Sequence, residues 1–453
     1  SRSSARWARF RVAVEVATDF LSRGGRIGWG ARGERITTDA ADNRGIIALI
    51  PVPPPHGPHR GEPGRRYPAP MSSLSAASAL VKAGVNARLS RILTTGRERA
   101  ADLGDAGDEL FDAAAALLAG GKRTRALLAG LGAALALEGP ERDAMLDSAL
   151  VAGTGAALEL YQASALMHDD VIDDASLRRG QPAAHRRFEA LHRDRAWLGG
   201  ARAFGASAAI LLGDLLLSAA GEELSAAQVR ADLSPARAAA ARAAFDAMTA
   251  EVAVGQYLDV RCQQLPPPRP DQDPIGAGGR MHRDALEVVR RKSARYSVMH
   301  PLLIGALQGG AVPGAPLHQR LSVFGEELGI AFQLRDDELG VFGDPALTGK
   351  PVGDDLREGK RTVLVALAWE RADAQGRALL RSVLARPRAG DADIARVTGL
   401  IEACGARAEH EEQIARHLRA AVAALDLIGP AEISDESRSD LLELARRLCE
   451  RRA

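Results

Sequence analysis

Two groups of acidic residues, far apart in the sequence, have the spacing of metal ligands. The first is Asp169, Asp170 and Asp173, and the second is Asp336 and Asp337. On a helix, Asp169 and Asp173 would project from one face. Carboxylates this close repel one another unless a cation intervenes, and Mg²⁺ takes one or two carboxylates together with phosphate oxygens. One such cluster is equally typical of a solvated helix end, but two on separate apolar helices favour a shared site for a metal-bound diphosphate.

Basic residues that could bind a diphosphate occur near both clusters. Gly120-Gly121 precedes Lys122 and Arg125, at the predicted start of a helix, where free N–H groups favour an anion. Further candidates are Arg178, Arg179, Lys292, Lys350 and Lys360. Each of these alone is just as consistent with a solvated surface charge. Together with the acidic clusters, they indicate a site that binds phosphate groups.

The elements that must position these residues are predicted to be helices. From residue 72 onward, Ala-, Leu- and Arg-rich segments have apolar residues at i, i+3, i+4 and i+7. Only 4% of residues are aromatic, whereas strands favour aromatic and β-branched residues. A helix beginning near Ala144 would carry the first cluster at its end, and residues 265–279 would form a surface loop. We predict an all-α fold, a large helical bundle around a central cavity.

Residues 1–70 differ in composition from the rest of the chain. They carry twelve Arg, no Lys and six acidic residues, a net +6 that leaves −5 for the remainder. Their Gly- and Pro-rich sequence lacks apolar periodicity and buries too little surface to offset the entropy of ordering. We predict a disordered N-terminal extension over 1–70, or upstream sequence translated from a wrongly assigned start, and one domain over 71–453.

The overall composition argues against several classes of partner. A net charge of +1 gives no reason to expect nucleic acid or an anionic membrane surface. No apolar run is long enough to suggest an integral membrane protein. The three cysteines, Cys262, Cys404 and Cys449, have neither zinc-site spacing nor an even number, which favours a reducing cytoplasm.

In these motifs the sequence resembles the trans-isoprenyl diphosphate synthases, or polyprenyl synthetases, from about Ser72 to the C-terminus. Residues 169–173 with Arg178-Arg179-Gly180 resemble the first aspartate-rich motif of that family, and residues 333–337 resemble the second. Residues 213–214 and 255–259 match less specific landmarks. The resemblance implies an all-α isoprenoid synthase fold and a homodimer. It also implies about two or three Mg²⁺ ions per site, held by both clusters.

The activity implied by the resemblance is prenyl transfer, in which isopentenyl diphosphate condenses with dimethylallyl, geranyl or farnesyl diphosphate. Isopentenyl diphosphate would be held by Lys122, Arg125, Gln162 and Arg179. The allylic diphosphate would be held by Arg178, Lys292, Ser293, Gln333, Lys350 and Lys360. The catalytic residues would be Asp169, Asp170, Asp173, Asp336, Asp337 and Lys292, with the five aspartates as metal ligands.

Three positions depart from the usual family pattern. Gly340 stands where the second motif should have its third acid, Ser293 stands for Thr, and Gln162 stands for His. The last two replacements keep hydrogen-bonding capacity. Because Asp336 and Asp337 remain, we expect metal binding to survive, though more weakly on that side.

Product length should depend on the residues that precede the first cluster on the same helix. Ser164 and Ala165 are small and would not stop a chain at fifteen carbons. Tyr161, eight residues before Asp169 and on nearly the same face, is large enough to form a floor. This favours geranylgeranyl diphosphate (C20) as the product. Longer products remain open, and so does the alternative that Tyr161 is simply a core residue.

Other functions compete with this interpretation. A class I terpene cyclase shares the helical fold and the first acidic cluster, but its family has an Asn/Ser/Glu triad in place of the second. A non-catalytic regulatory subunit of a prenyl synthase is expected to have lost one acidic cluster. A purely structural bundle leaves both clusters and the basic residues unexplained. This chain keeps both clusters and a candidate isopentenyl site, which favours the synthase.

Overall fold

The structure is a computed structural model, and it describes residues 27–29, 36–38, 72–178, 180–343, 353–384 and 389–450. The chain divides into two units, residues 1–69 and 70–453. In the first unit, the described residues are two short antiparallel strands, β1 (Ile27–Trp29) and β2 (Ile36–Thr38). The rest of the segment predicted to be disordered lies outside the described residues, so that interpretation stays a prediction.

The second unit is built from helices, as the apolar periodicity predicts. In chain order they are α1 (Ser73–Arg99), a 3-10 turn (Ala101–Leu103), α2 (Asp105–Leu118), α3 (Thr124–Ala133), α4 (Gly139–Leu146), α5 (Ala149–Ile172), α6 (Ala184–Asp194), α7 (Ala201–Arg230), α8 (Pro235–Gln264), α9 (Pro274–Val288), a π-helix (Val289–Met299), α10 (His300–Gly309), α11 (Pro316–Phe342), α12 (Asp354–Arg357), α13 (Val363–Arg371), α14 (Ala374–Leu384), α15 (Asp391–Ala403), α16 (Ala406–Asp426) and α17 (Asp435–Cys449). A small hairpin, β3 (Leu177–Arg178) and β4 (Gln181–Pro182), follows α5. The predicted all-α fold is confirmed.

Helix α5 lies at the centre of the bundle because most of its length is apolar on every side. Nearly all of its residues from Leu150 to Tyr161 are buried, and it packs along α7 and against α1 and α3. A helix that is apolar all round is stable only inside a protein. The acidic residues 169 and 170 come only in its last turn, so α5 holds the first acidic cluster at an edge of the core.

Helix α11 carries the second acidic cluster in a similar way. It packs against α16 on one side and the π-helix on another, and Leu321, Phe324 and Leu328 are buried along it. Asp336 and Asp337 lie near its C-terminal end. Both clusters are therefore at the ends of long helices whose apolar faces fix their positions.

The start of α5 differs from the sequence prediction, which placed it near Ala144. The helix begins at Ala149, because the hydroxyl of Ser148 accepts a hydrogen bond from the N–H of Val151 at 3.2 Å. A serine at this position satisfies a backbone donor that the helix itself leaves without a partner. The residues before it form the separate helix α4.

The loop predicted over residues 265–279 is shorter in the structure. Asp273 ends it, since its carboxylate accepts hydrogen bonds from the N–H groups of Ile275 and Gly276 at 3.1 and 3.0 Å. Gly276, Gly278 and Gly279, which belong to the predicted loop, lie inside α9. An aspartate cap followed by Pro at the first helical position outweighs the low helix propensity of glycine here.

Helix α7 is long and apolar enough, by length and composition, to cross a membrane. Its most apolar 18-residue window has a mean hydropathy of 1.7, and 33% of that window is buried. A single helix of this kind is weak evidence for a membrane span, because core helices of soluble proteins have the same properties. One side of α7 packs against α5 and α6.

Candidate active site

The first acidic cluster lies where α5 leaves the core. Asp169 and Asp170 are in its last turn, and Asp173 is the residue that caps it. The hairpin brings Arg178 back to this end, where its Nε donates to Oδ1 of Asp170 at 2.9 Å and its Nη2 lies 3.6 Å from Oδ2 of Asp169. Burial nevertheless keeps the pKa of Asp170 above its usual value. Arg178 thus offsets part of the negative charge at this helix end.

Asp169 is contacted by side chains from two other elements. Its Oδ1 accepts hydrogen bonds from Nζ of Lys292 at 3.1 Å and from Nε2 of Gln256 at 2.8 Å. Burial would raise the pKa of Asp169, but the positive charges of Lys292, Lys360 and Arg178 bring it below its usual value. Asp169 is therefore ionised at neutral pH.

Lys292 is placed by an unusual stretch of backbone. It lies in the π-helix, a conformation that is rare and frequent at functional sites. Helix α8 approaches this segment closely at Gly255, where a Cβ would lie 2.3 Å from the backbone nitrogen of Lys292. One turn later, Asp259 accepts a hydrogen bond from Nζ of Lys292 at 2.6 Å. Burial would lower the pKa of Lys292, but Asp169 and Asp259 raise it, so the ammonium stays charged.

The second acidic cluster has one buried carboxyl, Asp337, and one half-buried carboxyl, Asp336. Asp337 is 8% exposed, and its Oδ1 accepts a hydrogen bond from Nε2 of Gln333 at 2.8 Å, one turn earlier on α11. Burial, followed by the negative charges of Asp355 and Asp336, raises the pKa of Asp337 to about 8. A carboxyl in this position needs either a proton or a nearby cation.

Lys360 lies near both acidic clusters. Its Nζ is 3.2 Å from Oδ1 of Asp355 and 2.6 Å from Oε2 of Glu358. The same ammonium acts to lower the pKa of Asp173 in the first cluster and of Asp337 in the second. The π-helix, whose Lys292 contacts Asp169 of the first cluster, packs against α11, which carries the second cluster. The clusters therefore face a shared space.

The carboxyl groups of this space suit Mg²⁺ that arrives with a diphosphate. Burial and the charge of Asp169 raise the pKa of Asp173 to about 6, so negative charge here is incompletely compensated. Among the described residues, no three Asp, Glu, His or Cys side chains converge on one point as a finished metal site. Mg²⁺ binds one or two carboxylates and completes its shell with phosphate oxygens and water. Asp169, Asp173 and Asp337 fit that requirement.

The turn before α3 has the backbone of an anion-binding site. Gly120, Gly121 and Arg123 have φ values of 73°, 100° and 55°. Arg123 turns into the core and forms a 2.7 Å ion pair with the buried Glu159, which anchors the turn. Lys122 is exposed between them. The first N–H groups of α3 point out of this turn, where an anion is favoured.

Arg125 is the second residue of α3 and contacts the interior of the bundle. Its Nη2 donates to Oγ of Ser297 at 2.8 Å, and its guanidinium lies 4.1 Å from the centre of the Tyr296 ring. Tyr296 packs edge-on against Tyr161 at 5.5 Å, and Tyr161 packs edge-on against Phe245 at 6.0 Å. The three rings form one aromatic cluster below the first acidic cluster.

The residues predicted to control product length lie beside this aromatic cluster. Tyr161 is buried and its hydroxyl donates to the carbonyl oxygen of Thr249 at 3.3 Å. Ser164 is buried and Ala165 is half-buried between Tyr161 and the first acidic cluster. Small side chains therefore separate the carboxylates from a layer of rings, as expected for a cavity with a floor. The role of these residues in chain length stays a prediction.

Known proteins are similar to this chain over most of its length. The Polyprenyl synthetase family profile matches residues 108–401, which is more than half of the chain. The geranylfarnesyl diphosphate synthase of Aeropyrum pernix is 32% identical over 314 residues, which cover 68% of this chain and 86% of that protein. The chain belongs to the polyprenyl synthetase family.

Other members show the same similarity in sequence and in structure. The geranylgeranyl diphosphate synthase of Mycobacterium tuberculosis is 30% identical over 297 residues, 65% of this chain and 72% of that protein. The geranylgeranyl pyrophosphate synthase of Corynebacterium glutamicum, solved with isoprenyl diphosphate and magnesium, aligns with a TM-score of 0.71 and 36% identity, covering 84% of this chain and 100% of that one. The family predicted from the motifs is confirmed, and the cyclase and regulatory-subunit alternatives are not favoured.

Most of the predicted site residues of this polyprenyl synthetase lie in the shared space or at its margin. Those around the two acidic clusters are Asp169, Asp170, Asp173, Arg178, Lys292, Gln333, Asp336, Asp337 and Lys360. Gln162 and Ser293 are half-buried on α5 and the π-helix. Arg179 and Lys350 lie outside the described residues, so their predicted roles stay predictions.

Three residues of the site were not assigned a role from the sequence. Gln256 and Asp259 contact Asp169 and Lys292, and their spacing of three on a helix indicates one shared face. Asp355 lies between Lys350 and Lys360 in the sequence, and nothing in the sequence indicates which residue it contacts. Only the fold brings each of these three to its contact.

Proposed function

We propose that this polyprenyl synthetase condenses isopentenyl diphosphate with an allylic diphosphate in a Mg²⁺-dependent reaction. The observation that carries the proposal is the position of Lys292, whose Nζ contacts Asp169 of the first cluster at 3.1 Å and whose π-helix packs against α11, the helix of the second cluster. Two acidic clusters brought together in this way are suited to hold a diphosphate through Mg²⁺. The names of the relatives, which are geranylfarnesyl and geranylgeranyl diphosphate synthases, support this substrate class.

The reaction follows from the charges around the site. Bound Mg²⁺ would supply positive charge to the leaving diphosphate. Lys292, Lys360 and Arg178 would donate N–H groups to the oxygens of that diphosphate and stabilise the charge that develops when the allylic C–O bond breaks. The diphosphate leaves with the electron pair. The double bond of isopentenyl diphosphate, positioned by Lys122 and Arg125, forms the new C–C bond, and the proton lost from the adduct passes to the diphosphate.

Several residues also position the side chains that would contact the substrates. Asp169 and Asp259 hold the ammonium of Lys292 between them. Ser297 and Tyr296 hold the guanidinium of Arg125. A preorganised arrangement needs no reorientation as the charge develops, which is the main electrostatic contribution to such a step.

Geranylgeranyl diphosphate is the product that we propose. Tyr161, Tyr296 and Phe245 form contiguous rings on the side of α5 below the first acidic cluster. Ser164 and Ala165 leave space above the rings for a chain longer than fifteen carbons. A floor of packed aromatic side chains would stop growth once the chain reaches it.

We also propose that the enzyme is a homodimer and that it acts in the cytoplasm. The outer side of α7 exposes Ile210, Leu211, Leu215 and Leu217, with Leu211 66% exposed. Contiguous exposed apolar side chains of this kind are typical of a protein interface. The cytoplasmic assignment has the support of Cys262, Cys404 and Cys449, which are free thiols.

The proposed activity is tested with purified protein, isopentenyl diphosphate, each allylic diphosphate in turn and Mg²⁺, with products separated by chromatography. Asp169→Asn and Asp336→Asn should each lower turnover about 100- to 1,000-fold, because each removes charge that positions the diphosphate. Asp246→Asn is the matched control, since Asp246 is 56% exposed and pairs with Arg242 away from the site. Near-normal turnover in the first two variants, or a hydrocarbon product from an allylic diphosphate alone, would refute the proposal.

A further inference from the structure

The second acidic cluster lacks an acid at position 340, and another acid fills the space there. A Cβ added to Gly340 would lie 2.1 Å from Oδ2 and 2.7 Å from Cγ of Asp355. Real Cβ atoms essentially never lie within 3.0 Å of such neighbours. The carboxylate of Asp355 therefore occupies the volume that a side chain at position 340 would need.

Gly340 lies in the last turns of α11, where its conformation is helical. Glycine is a poor helix former because it loses the most backbone freedom on folding. Its presence here allows the close approach of Asp355, whose carboxylate would have to move if position 340 carried a larger residue. The two positions are therefore sterically coupled, although 15 residues separate them in the sequence.

Asp355 belongs to the same charged space as the second acidic cluster. It is 9% exposed and lies in the short helix α12, which packs against α11. Its Oδ1 accepts from Nζ of Lys360 at 3.2 Å, and this lysine also acts on Asp173 and Asp337. Asp355 thus adds negative charge where the motif itself provides only two acids.

We propose that Asp355 supplies the third carboxylate of the second metal-binding cluster, in the place that Gly340 leaves open. This inference rests on the proposed binding of Mg²⁺ by the site. The plain alternative is that Asp355 serves only to anchor Lys360. The two explanations differ in what happens when the acid is moved from position 355 to position 340.

The experiment exchanges the two residues. Four proteins are compared with the wild type: Asp355→Gly, Gly340→Asp, the exchange variant Gly340→Asp/Asp355→Gly, and the control Gly340→Ala/Asp355→Gly. Mn²⁺ is titrated into each protein with inorganic diphosphate present, and free Mn²⁺ is followed by electron paramagnetic resonance against a protein-free titration. Circular dichroism and thermal unfolding report whether each variant folds. Asp355→Asn, which keeps the shape of the side chain, is added in case Asp355→Gly does not fold.

The proposal predicts loss of metal affinity and its recovery on exchange. Asp355→Gly and Asp355→Asn should weaken Mn²⁺ binding about tenfold or more, as loss of a supporting ligand does. Gly340→Asp alone should weaken both folding and binding, because its side chain overlaps Asp355. The exchange variant should recover to within about threefold of the wild type, since the two substitutions are coupled. The control Gly340→Ala/Asp355→Gly, which places an uncharged side chain at position 340, should fold but bind Mn²⁺ as weakly as Asp355→Gly.

Two results would overturn the inference. One is wild-type Mn²⁺ affinity in Asp355→Asn, and the other is an exchange variant that binds no better than the alanine control. Either would leave Asp355 as an anchor for Lys360, with the proposed metal dependence intact. Failure of the wild type itself to bind Mn²⁺ with diphosphate would instead refute the proposed metal dependence, and this inference with it.

Discussion

At the scale of single residues, the site is defined by carboxyls that burial makes hard to ionise. Burial raises the pKa of Asp337 to about 8 and that of Asp173 to about 6. Asp169 differs because three neighbouring cations bring its pKa below the usual value. Asp169 is thus charged before any ligand binds, while Asp173 and Asp337 hold protons over part of the neutral range.

Metal affinity should therefore depend on pH. A metal ion binds the deprotonated carboxylate and must displace a proton from Asp173 or Asp337 when the pH is below the pKa. Affinity for Mn²⁺ in the presence of diphosphate should rise between pH 6 and pH 8, with proton release that is larger at the lower pH. Calorimetry in buffers of different ionisation enthalpy measures both quantities. In Asp337→Asn, the affinity for Mn²⁺ should no longer rise with pH in the upper part of this range. A wild-type affinity that is the same at pH 6 and pH 8 would contradict this explanation.

Tyr161 should set the length of the product. Tyr161→Ala removes one ring of the aromatic cluster, and we expect products longer than C20 because the chain gains space below Ser164 and Ala165. Loss of the buried ring should also cost about 3–5 kcal/mol of stability, so products are best sized at low temperature. Tyr161→Phe is the control, since it keeps the ring and loses only the hydrogen bond to Thr249. Unchanged length in Tyr161→Ala would assign the floor to another residue.

At the scale of elements, the site depends on how closely α8 packs against the π-helix. Gly255 allows this approach, and Asp259 on the next turn then reaches Lys292. The same approach places Gln256 against Asp169. A single small residue thus brings two side chains of α8 to the end of α5.

Gly255→Val should disrupt this contact. Its Cβ would meet the backbone of Lys292 at 2.3 Å, and overpacking of this kind costs about 1–3 kcal/mol. We expect a lower melting temperature and a larger fall in turnover, because Lys292 moves away from Asp169 and Asp259. Gly221→Ala on α7 is the control, since its Cβ would meet its nearest neighbour at 3.6 Å. Equal activity in the two variants would mean that the close packing does not position Lys292.

At the scale of the whole molecule, α7 is unusual in being apolar on two sides. One side packs against α5 and α6, while Leu211 and Leu215, four residues apart, lie exposed on the other. Val254 and Tyr257 on α8 are also exposed, at 49% and 65%. Hydrophobic surface of this extent favours association with a second copy, whose α7 would cover it.

Leu211→Glu should therefore shift the protein from dimer to monomer. A charge placed on an apolar surface must lose its hydration when that surface is covered. Sedimentation velocity measures the result directly. Leu427→Glu is the matched control, because Leu427 is equally exposed, at 67%, but lies at the end of α16. A wild type that sediments as a monomer, or a dimer that Leu211→Glu leaves intact, would contradict the proposed interface.

The sequence by itself determined the helices and the two acidic clusters. Apolar residues at helical spacing and carboxylates four positions apart are local features, because neighbouring residues on a helix are fixed by its geometry. The same local reasoning located the basic turn before α3. It misplaced the start of α5 because the hydroxyl of Ser148, rather than the apolar pattern, sets that boundary.

Only the tertiary structure decided which distant residues meet. The pairing of Lys292 with Asp259, the contact of Arg125 with Tyr296, and the approach of Asp355 to Gly340 each join separate helices. Such contacts depend on the angle and distance at which helices pack, which follow from the summed shapes of many side chains. The sequence therefore indicates which ligands a charged side chain could bind. The packing of the helices determines which residues that side chain contacts.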